Sequence, residues 1–445
     1  MATQLSRTLS VKDLTMYGIV FMIPVAPIAW YGSFLAPSAG MVALAYLIGM
    51  VAMLFTGFSY MYMSQEYPIS GSVYSYVQQG AHTDLGFLAG WSITLDYIFI
   101  PAVCYLVGAM FAAELTPKIP LWAWVVFFAI VNTIINALGV KIMSRLSWII
   151  FALQILVLAI FTIGVLIQLT SGQMHFTTIS LYNPSHFDLQ GVLQATGIVV
   201  VSYLGFDAIS TLAEEAKEPR KSVGKAIVLS IFLIGAMFFI VSFFAGVAFP
   251  DYAKLNSDTA FLDILRKVGG TWLVNLSIVT IVLSFGFACG QEGQAAIARL
   301  LYCMGRDGIM PKPLAYVHPK FKTPFIATIV IGVVSVIIAL ALGLNIVSIL
   351  ISFGALLGFM ALNLTVIWHF YIKESRRGGV NLIKYVIFPL IGFAVCAWIF
   401  SGLGLLAHIV GFSWMGAGLI YLLIKTKGFK QEAPHIDFGE QQAIE

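Results

Sequence analysis

Three acidic residues stand inside long apolar stretches: Asp96 in TLDYIFIP, Asp207 in VVVSYLGFDAIS and Glu292 in ACGQEGQAA. An ionised carboxylate in hydrocarbon is costly unless it faces a cavity or a partner, so each acid is a candidate functional group. No lysine or arginine stands in the middle of these stretches. The acids are therefore predicted either to hold protons or to receive a cation.

Each acid has its own alternatives. Asp96 is either a site residue or a structural group that hydrogen-bonds a neighbouring helix through Tyr97 or a carbonyl. Asp207 is the strongest candidate, because Gly205 interrupts the same apolar stretch. Glu292 is interpreted as an inner gate, a proton acceptor or a merely hydrated side chain.

Aromatic side chains near these acids fit a cationic substrate. The face of an aromatic ring attracts an ammonium group by about 0.5–2 kcal/mol. Trp30 and Tyr203 are the first candidates, and Tyr97 and Phe206 are further ones. Most other aromatic residues of so apolar a chain are expected to pack in the core or face lipid.

The composition indicates an integral membrane protein. Hydrophobic residues make up 60% and charged residues 10% of the chain, and the mean hydropathy is +0.94. A membrane helix needs about 20 apolar residues. Twelve stretches meet this requirement: 14–36, 40–63, 84–113, 121–139, 148–170, 189–213, 224–248, 270–304, 325–344, 346–371, 383–403 and 405–424.

The basic residues predict the orientation. If the stretches alternate in direction, 20 of the 24 lysines and arginines lie at the ends and loops on the N-terminal side. Such a bias places residues 1–13 and the tail 425–445 in the cytoplasm. The net charge of +4 is thereby explained by topology, and a nucleic-acid partner is not expected.

Two of the twelve stretches are interrupted. Pro24 and Pro27 break the first, FMIPVAPIAW, and Gly205 breaks the sixth. The sixth stretch comes five places after the first, an odd number, so the broken helices run in opposite directions. This is the pattern of a secondary transporter whose binding site lies at the membrane midplane. Ala26 and Ile28, beside the prolines, join the predicted site.

The first interruption also bears on the substrate. A substrate carboxylate is usually held by backbone N–H groups at such a break. Pro24 and Pro27 remove two of them, although Ile28 and Ala29 could still donate. An amine without a carboxylate is therefore favoured.

The sequence gives no sign of a metal, cofactor or catalytic site. Four cysteines stand singly, and seven histidines form no HxxxH or HExxH pattern. The cysteines are interpreted as packing residues. No enzymatic activity is predicted. The polar and aromatic segment SQEYPISGSVYSYV (64–77) is expected along the membrane interface.

Several motifs together resemble the amino acid–polyamine–organocation (APC) superfamily, and within it bacterial putrescine importers. They are FSYMYMSQEYPISGSVYSY, GWSITLDYIFIP, SYLGFDAISTLAEEAKEPRKSVGKAI, ARLLYCMGRDGIMP, YVHPKFKTP and SFGALLGFMALNLTVIWHF. The resemblance implies an all-α fold with a five-plus-five inverted repeat over 14–371 (14–170 and 189–371) and two added helices over 383–424. It also implies a site between broken helices 1 and 6, and proton-coupled import.

Two positions depart from the pattern of the putrescine importers. Ala29 stands where they carry an acidic residue, and Gln154 stands where some proton-coupled relatives place a lysine. Glu292 is outside the pattern and could compensate for either change.

The sequence thus predicts a transporter of the inner cell membrane that imports a small organic amine, a polyamine first. An amino acid permease is the alternative. Protons are favoured for coupling, with a sodium site involving Ser284 as the other possibility. Membrane lipid is the expected surrounding, and oligomeric state and direction of transport stay open.

Overall fold

The computed structural model describes residues 7–257 and 259–431, with side chains except at 140–146, 344–345 and 348–349. Eleven helices in this part are long and apolar enough to cross a membrane, and two shorter helices bent by 45°, Val11–Phe21 and Ala26–Leu35, form a twelfth crossing. We number these crossings in chain order as spans 1 to 12. After span 1 they are Val42–Glu66, Thr83–Leu115, Leu121–Leu138, Ser147–Thr170, Leu189–Glu215, Pro219–Ala248, Ala260–Arg306, Phe325–Gly343, Leu350–Lys373, Gly379–Ser401 and Leu405–Lys425. The predicted all-helical fold with twelve membrane helices is confirmed.

Span 1 is broken over the four residues between its two helices. Pro24 lies in the break, and Pro27 lies in the first turn of the second helix, where a missing N–H leaves no bond unmade. Ile23 has φ +53°, which is rare for a β-branched residue. The sequence therefore stops the helix, and the surrounding structure holds the strained backbone in place.

Span 6 is broken at its middle by a different device. An α-helix, Leu189–Val199, and a short 3₁₀-helix, Val200–Tyr203, end before Gly205, which has φ +113°. A second 3₁₀-helix, Phe206–Glu215, continues the span. A Cβ placed on Gly205 would lie 1.9 Å from Cδ1 of Phe21, the last residue before the break in span 1. The two breaks are in direct contact.

Other spans deviate from a regular helix at glycines. Gly270 (φ +72°) separates a short first helix of span 8 from the part predicted to begin at 270, and Gly343 (φ +71°) separates spans 9 and 10. Span 8 then contains a π-helical segment, Ser284–Cys289, at the depth of the breaks.

Because the spans alternate in direction, the molecule has two faces. We name the face with Ser10 and Glu215 the N-terminal face, and the face with Pro37 and Asp188 the opposite face. In spans 8 and 10, 72% of the most apolar 18-residue window is buried, compared with 22% in spans 11 and 12. Spans 8 and 10 are thus core elements, while spans 11 and 12 expose apolar surface suited to lipid.

The segment expected along the interface lies elsewhere. Its second half forms a short helix, Ser72–Gly80, in which all residues but Gln79 are buried. The helix packs tightly on span 3: a Cβ on Gly90 would lie 2.8 Å from the Tyr74 ring. The interfacial prediction is wrong for this half, because its aromatic face finds partners inside the protein.

Candidate functional site

A cavity of about 1060 Å³ opens at the opposite face and ends at the two breaks. Its mouth includes Asp188 and Gln194, and Trp30 and Trp398 stand in its walls. Its floor is formed by residues from both breaks and from spans 3 and 8: Phe21, Met22, Ile23, Ile100, Cys104, Leu204, Phe285 and Cys289. The lining is mostly apolar, as expected of a site for a small molecule.

The predicted site residues divide between this cavity and the packing beneath it. Ala26 and Trp30 line the cavity. Asp96, Tyr97, Asp207, Phe206, Gly205, Pro27 and Ile28 are buried and outside the lining. The cavity and the acids are thus two layers, separated by the floor.

Tyr203 is not a cavity residue in this structure. Its hydroxyl donates to the backbone carbonyl of Tyr46 at 2.8 Å. Its ring packs against Tyr46 and Phe238, with centroid distances of 6.4 and 5.5 Å. Its neighbours Ser202 and Leu204 face the cavity instead, because the short 3₁₀ turn before the break rotates Tyr203 toward spans 2 and 7.

Asp96 and Asp207 are both fully buried and lie outside the cavity lining, and we call them the acid pair. Asp207 accepts a very short hydrogen bond from the Tyr97 hydroxyl through Oδ2. Its Oδ1 and both oxygens of Asp96 have no hydrogen-bond partner among the described residues. Nor does any described lysine, arginine or histidine form an ion pair with either acid. Three buried carboxylate oxygens are thus left unmatched, a costly arrangement in a finished core.

Ser72 and Tyr60, which the sequence did not single out, lie next to Tyr97. The Ser72 hydroxyl lies 3.3 Å from the hydroxyls of both Tyr60 and Tyr97. Ser72 has φ +55° and begins the buried short helix. The sequence signal, the GS pair in PISGSVYSY, is that of a turn, and nothing in it shows that the turn reaches Tyr97, the hydrogen-bond donor to Asp207.

The break in span 1 has no open donors. The N–H groups of Met22, Ile23, Ala26 and Ile28 donate to backbone carbonyls three or four residues earlier, at 2.8–3.2 Å. The N–H of Val25 donates to Oε1 of Gln154 at 3.3 Å. Ile28, a predicted donor for a substrate carboxylate, is therefore already bonded, to the Val25 carbonyl at 2.9 Å.

Gln154 thus joins span 5 to the span 1 break. Its Nε2 has no partner among the described residues, and the side chain is fully buried. Ser284, predicted as a possible sodium ligand, donates its hydroxyl to the Thr280 carbonyl in its own helix at 2.7 Å.

Glu292 lies where spans 1, 5 and 8 meet. Its Oε1 accepts from the Ser147 hydroxyl at 2.5 Å, and its backbone carbonyl accepts from the Tyr17 hydroxyl at 2.9 Å. Its Oε2 has no partner among the described residues, and the residue is 1% exposed. Glu292 is therefore buried in this conformation and is not a hydrated side chain.

Ion pairs close the N-terminal face. Arg299 lies buried in span 8 and pairs with Glu215 of span 6 at 2.6 Å. Two turns further along the same helix, Arg306 pairs with Glu214 at 3.1 Å. The helix of span 8 continues to Arg306, and Arg299 faces span 6.

One cluster has metal-ligand chemistry. Ligand atoms of Glu66, His369 and Glu374 lie within 4.8 Å of one another. Arg376 contacts both carboxylates, at 3.0 and 2.6 Å, and supplies the positive charge there. We therefore assign no metal to this cluster.

Comparison with known proteins agrees with this architecture. The amino acid permease family model matches residues 14–427. The low-affinity putrescine importer PlaP of Escherichia coli K12 is 31% identical over 443 residues, covering 98% of this chain and 97% of its own. The methylthioribose transporter of Bacillus subtilis is 30% identical, covering 95% and 94%. The branched-chain amino acid permease BcaP of Bacillus subtilis is 27% identical, covering 96% and 94%. The chain is a multi-pass membrane transporter that belongs to the amino acid permease family of the APC superfamily.

Proposed function

We propose that this permease imports a small organic amine, with the diamine putrescine as first candidate, by alternating access across the inner membrane. The positive-inside bias places the N-terminal face and both termini in the cytoplasm. In that orientation the cavity is open to the outside and the ion pairs of Arg299 and Arg306 close the inside.

The observation that carries the proposal is the unmatched acid pair below the cavity floor. Asp96 and Asp207 together offer three oxygens without a partner. An ammonium group supplies several N–H donors and a positive charge. It would therefore hydrogen-bond these oxygens and balance the negative charge of the acids at the same time. The span 1 break, by contrast, offers no open N–H to a carboxylate. A substrate with amines and no carboxylate therefore fits better than an amino acid.

Transport requires that the floor opens. An amine that enters the cavity meets Leu204, Phe21 and Ile23 before it reaches Asp207. These residues belong to the two breaks, where the backbone is already irregular. Rotation of the half-helices would move them aside and bring the acids to the substrate, and separation of Arg299 from Glu215 would then open the inner side.

We further propose that protons couple to transport, with Glu292 as a carrier. Its unmatched Oε2 lies among groups from three spans, with Ser147 and Tyr17 as neighbours. A sodium ion bound through Ser284 is the alternative, and uptake with the proton gradient collapsed, and then with sodium replaced, separates the two.

Uptake of labelled putrescine into vesicles tests the substrate and the role of Asp207 together. We expect uptake by the wild type and its loss in Asp207→Asn. Asp251→Asn is the matched control, since Asp251 is an exposed residue on the opposite face, paired with Lys254. Unchanged uptake by Asp207→Asn would remove Asp207 from the site.

Competition with amino acids tests the alternative that a BcaP-like relative suggests. We expect excess unlabelled putrescine and other diamines to block uptake, and leucine and lysine to have little effect. Stronger competition by leucine or lysine would show that a carboxylate is recognised, and the amine proposal would fail.

A further inference from the structure

Two cysteines that lie far apart in the sequence meet at the cavity floor. Sγ of Cys104 in span 3 lies 3.2 Å from Sγ of Cys289 in span 8. Both residues line the cavity, and both are otherwise buried, with 2% and 3% of their surface exposed. Cys303 and Cys396 are buried elsewhere and are not cavity residues.

The pair also contacts the break in span 1. The Cys289 thiol lies 3.1 Å from the backbone carbonyl of Phe21, to which it donates a hydrogen bond. Phe21 in turn packs against Gly205 at the break of span 6. The dithiol therefore lies where the floor must move if a substrate is to pass.

We propose that Cys104 and Cys289 are a modification site: oxidants that enter the cavity convert the two thiols to a disulfide, which slows transport. The sulfur atoms need to approach by only about 1.2 Å to reach the length of an S–S bond near 2.05 Å. With a peroxide, one thiol takes up an oxygen atom to give a sulfenic acid and releases water. The second thiol attacks that sulfur, the S–S bond forms, and a second water leaves.

Two consequences slow transport. The disulfide links span 3 covalently to span 8 at the cavity floor. It also removes the S–H group that donates to Phe21, so the carbonyl at the break loses its partner. In the orientation proposed above, the cavity opens to the outside of the cell, where disulfides persist.

Intact-mass measurement of the purified full-length protein before and after peroxide treatment tests the site. We expect a loss of about 2 Da, for two hydrogen atoms, reversed by dithiothreitol. The loss should vanish in Cys104→Ser and in Cys289→Ser, and persist in Cys303→Ser and Cys396→Ser. A digest should contain one peptide pair that joins residues 104 and 289. No mass loss, or a bond between other cysteines, would overturn the proposal.

Uptake of labelled putrescine, which rests on the proposed function, tests the effect on transport. We expect peroxide to lower wild-type uptake several-fold and dithiothreitol to restore it. Cys289→Ser keeps a hydroxyl donor for Phe21 but forms no disulfide, so its uptake should resist peroxide. Equal inhibition of this variant, or none in the oxidised wild type, would overturn the effect on transport. If putrescine is not a substrate, the untreated wild type shows no uptake, while the mass measurement still decides the disulfide.

Discussion

The two broken spans meet at one point but differ in what they leave unsatisfied. In span 1 every N–H from Met22 to Ile28 has an acceptor, and Gln154 provides the one that the backbone does not. In span 6 the break is made by one glycine, Gly205, and Asp207 two residues later has one oxygen for which no described residue is a partner. The backbone N–H groups of the span 1 break are thus all bonded, whereas Asp207 at the span 6 break keeps an acceptor without a partner among the described residues, which we propose binds the ammonium group of the substrate.

Replacement of the glycine should have the largest effect. Gly205→Ala would place a methyl group 1.9 Å from the Phe21 ring and force a side chain into φ +113°. The backbone strain alone costs about 1–3 kcal/mol, and the clash adds to it. We expect a large drop in the melting temperature, or loss of folded protein.

Gly197→Ala is the matched control, because a Cβ there meets nothing within 4 Å in the same span. Full stability of Gly205→Ala would show that the span 6 break does not depend on its glycine.

Removal of the side-chain acceptor at the span 1 break, Oε1 of Gln154, should have the next largest effect on stability. Gln154→Ala would leave the buried N–H of Val25 without a partner, at a cost of about 1–3 kcal/mol. We expect a lower melting temperature than in Gln190→Ala, where an exposed glutamine is removed. If the two variants melt alike, the span 1 break is not saturated by Gln154, and the contrast between the breaks weakens.

Replacement of one acid of the pair should have a smaller effect, and one that differs between diamines and monoamines. Asp96→Asn keeps Asp207 but removes one of the two acids that we propose bind the two ammonium groups of a diamine. We expect the affinity for putrescine to fall about tenfold, or about 1.4 kcal/mol. The affinity for butylamine, which has a single ammonium group, should change little. Competition of unlabelled putrescine and butylamine against labelled putrescine uptake gives the change in affinity for each amine. An equal loss of affinity for both would exclude Asp96 as the second anion.

The smallest expected effect comes from Asp307, which lies at the N-terminal face. Its replacement separates pH responses at this face from pH responses at the breaks. Burial raises the pKa of Asp307 above its usual value, although Tyr74 donates to it at 2.5 Å. A raised pKa favours the protonated form in the folded state. Relative to Asp307→Asn, the wild type should therefore be most stable at low pH and lose stability as pH rises from about 4.

Melting temperatures of the two proteins between pH 4 and 7 test this. The prediction is contradicted if the difference in melting temperature between the wild type and Asp307→Asn stays constant, or if it shifts in favour of the wild type as pH rises. Any pH dependence of uptake that persists in Asp307→Asn then belongs to groups nearer the breaks.

Much of the fold could be predicted from the sequence, because lipid imposes simple rules on it. Apolar stretches of sufficient length become crossings, and prolines or a glycine within them become breaks. The positions of Asp96, Asp207 and Glu292 in such stretches marked them as unusual. The buried helix Ser72–Gly80 was missed, since its polar and aromatic composition is equally typical of an interface.

The candidate site was only partly predictable, because it depends on which side chains face each other. Tyr203 lies next to the break in sequence, yet a short 3₁₀ turn directs it to Tyr46. Cys104 and Cys289 are far apart in the chain and meet only because spans 3 and 8 pack side by side.

By itself, the sequence determined that this chain is a membrane protein with twelve crossings, two of them broken, and that three acids stand at membrane depth. These properties follow from hydropathy and backbone chemistry, which act locally. Only the tertiary structure decided that the N–H groups of the span 1 break are all bonded, while the oxygens of Asp96 find no partner in the described part of the chain. Whether a polar group finds a partner depends on the groups that distant spans bring to it, and no local pattern contains that information.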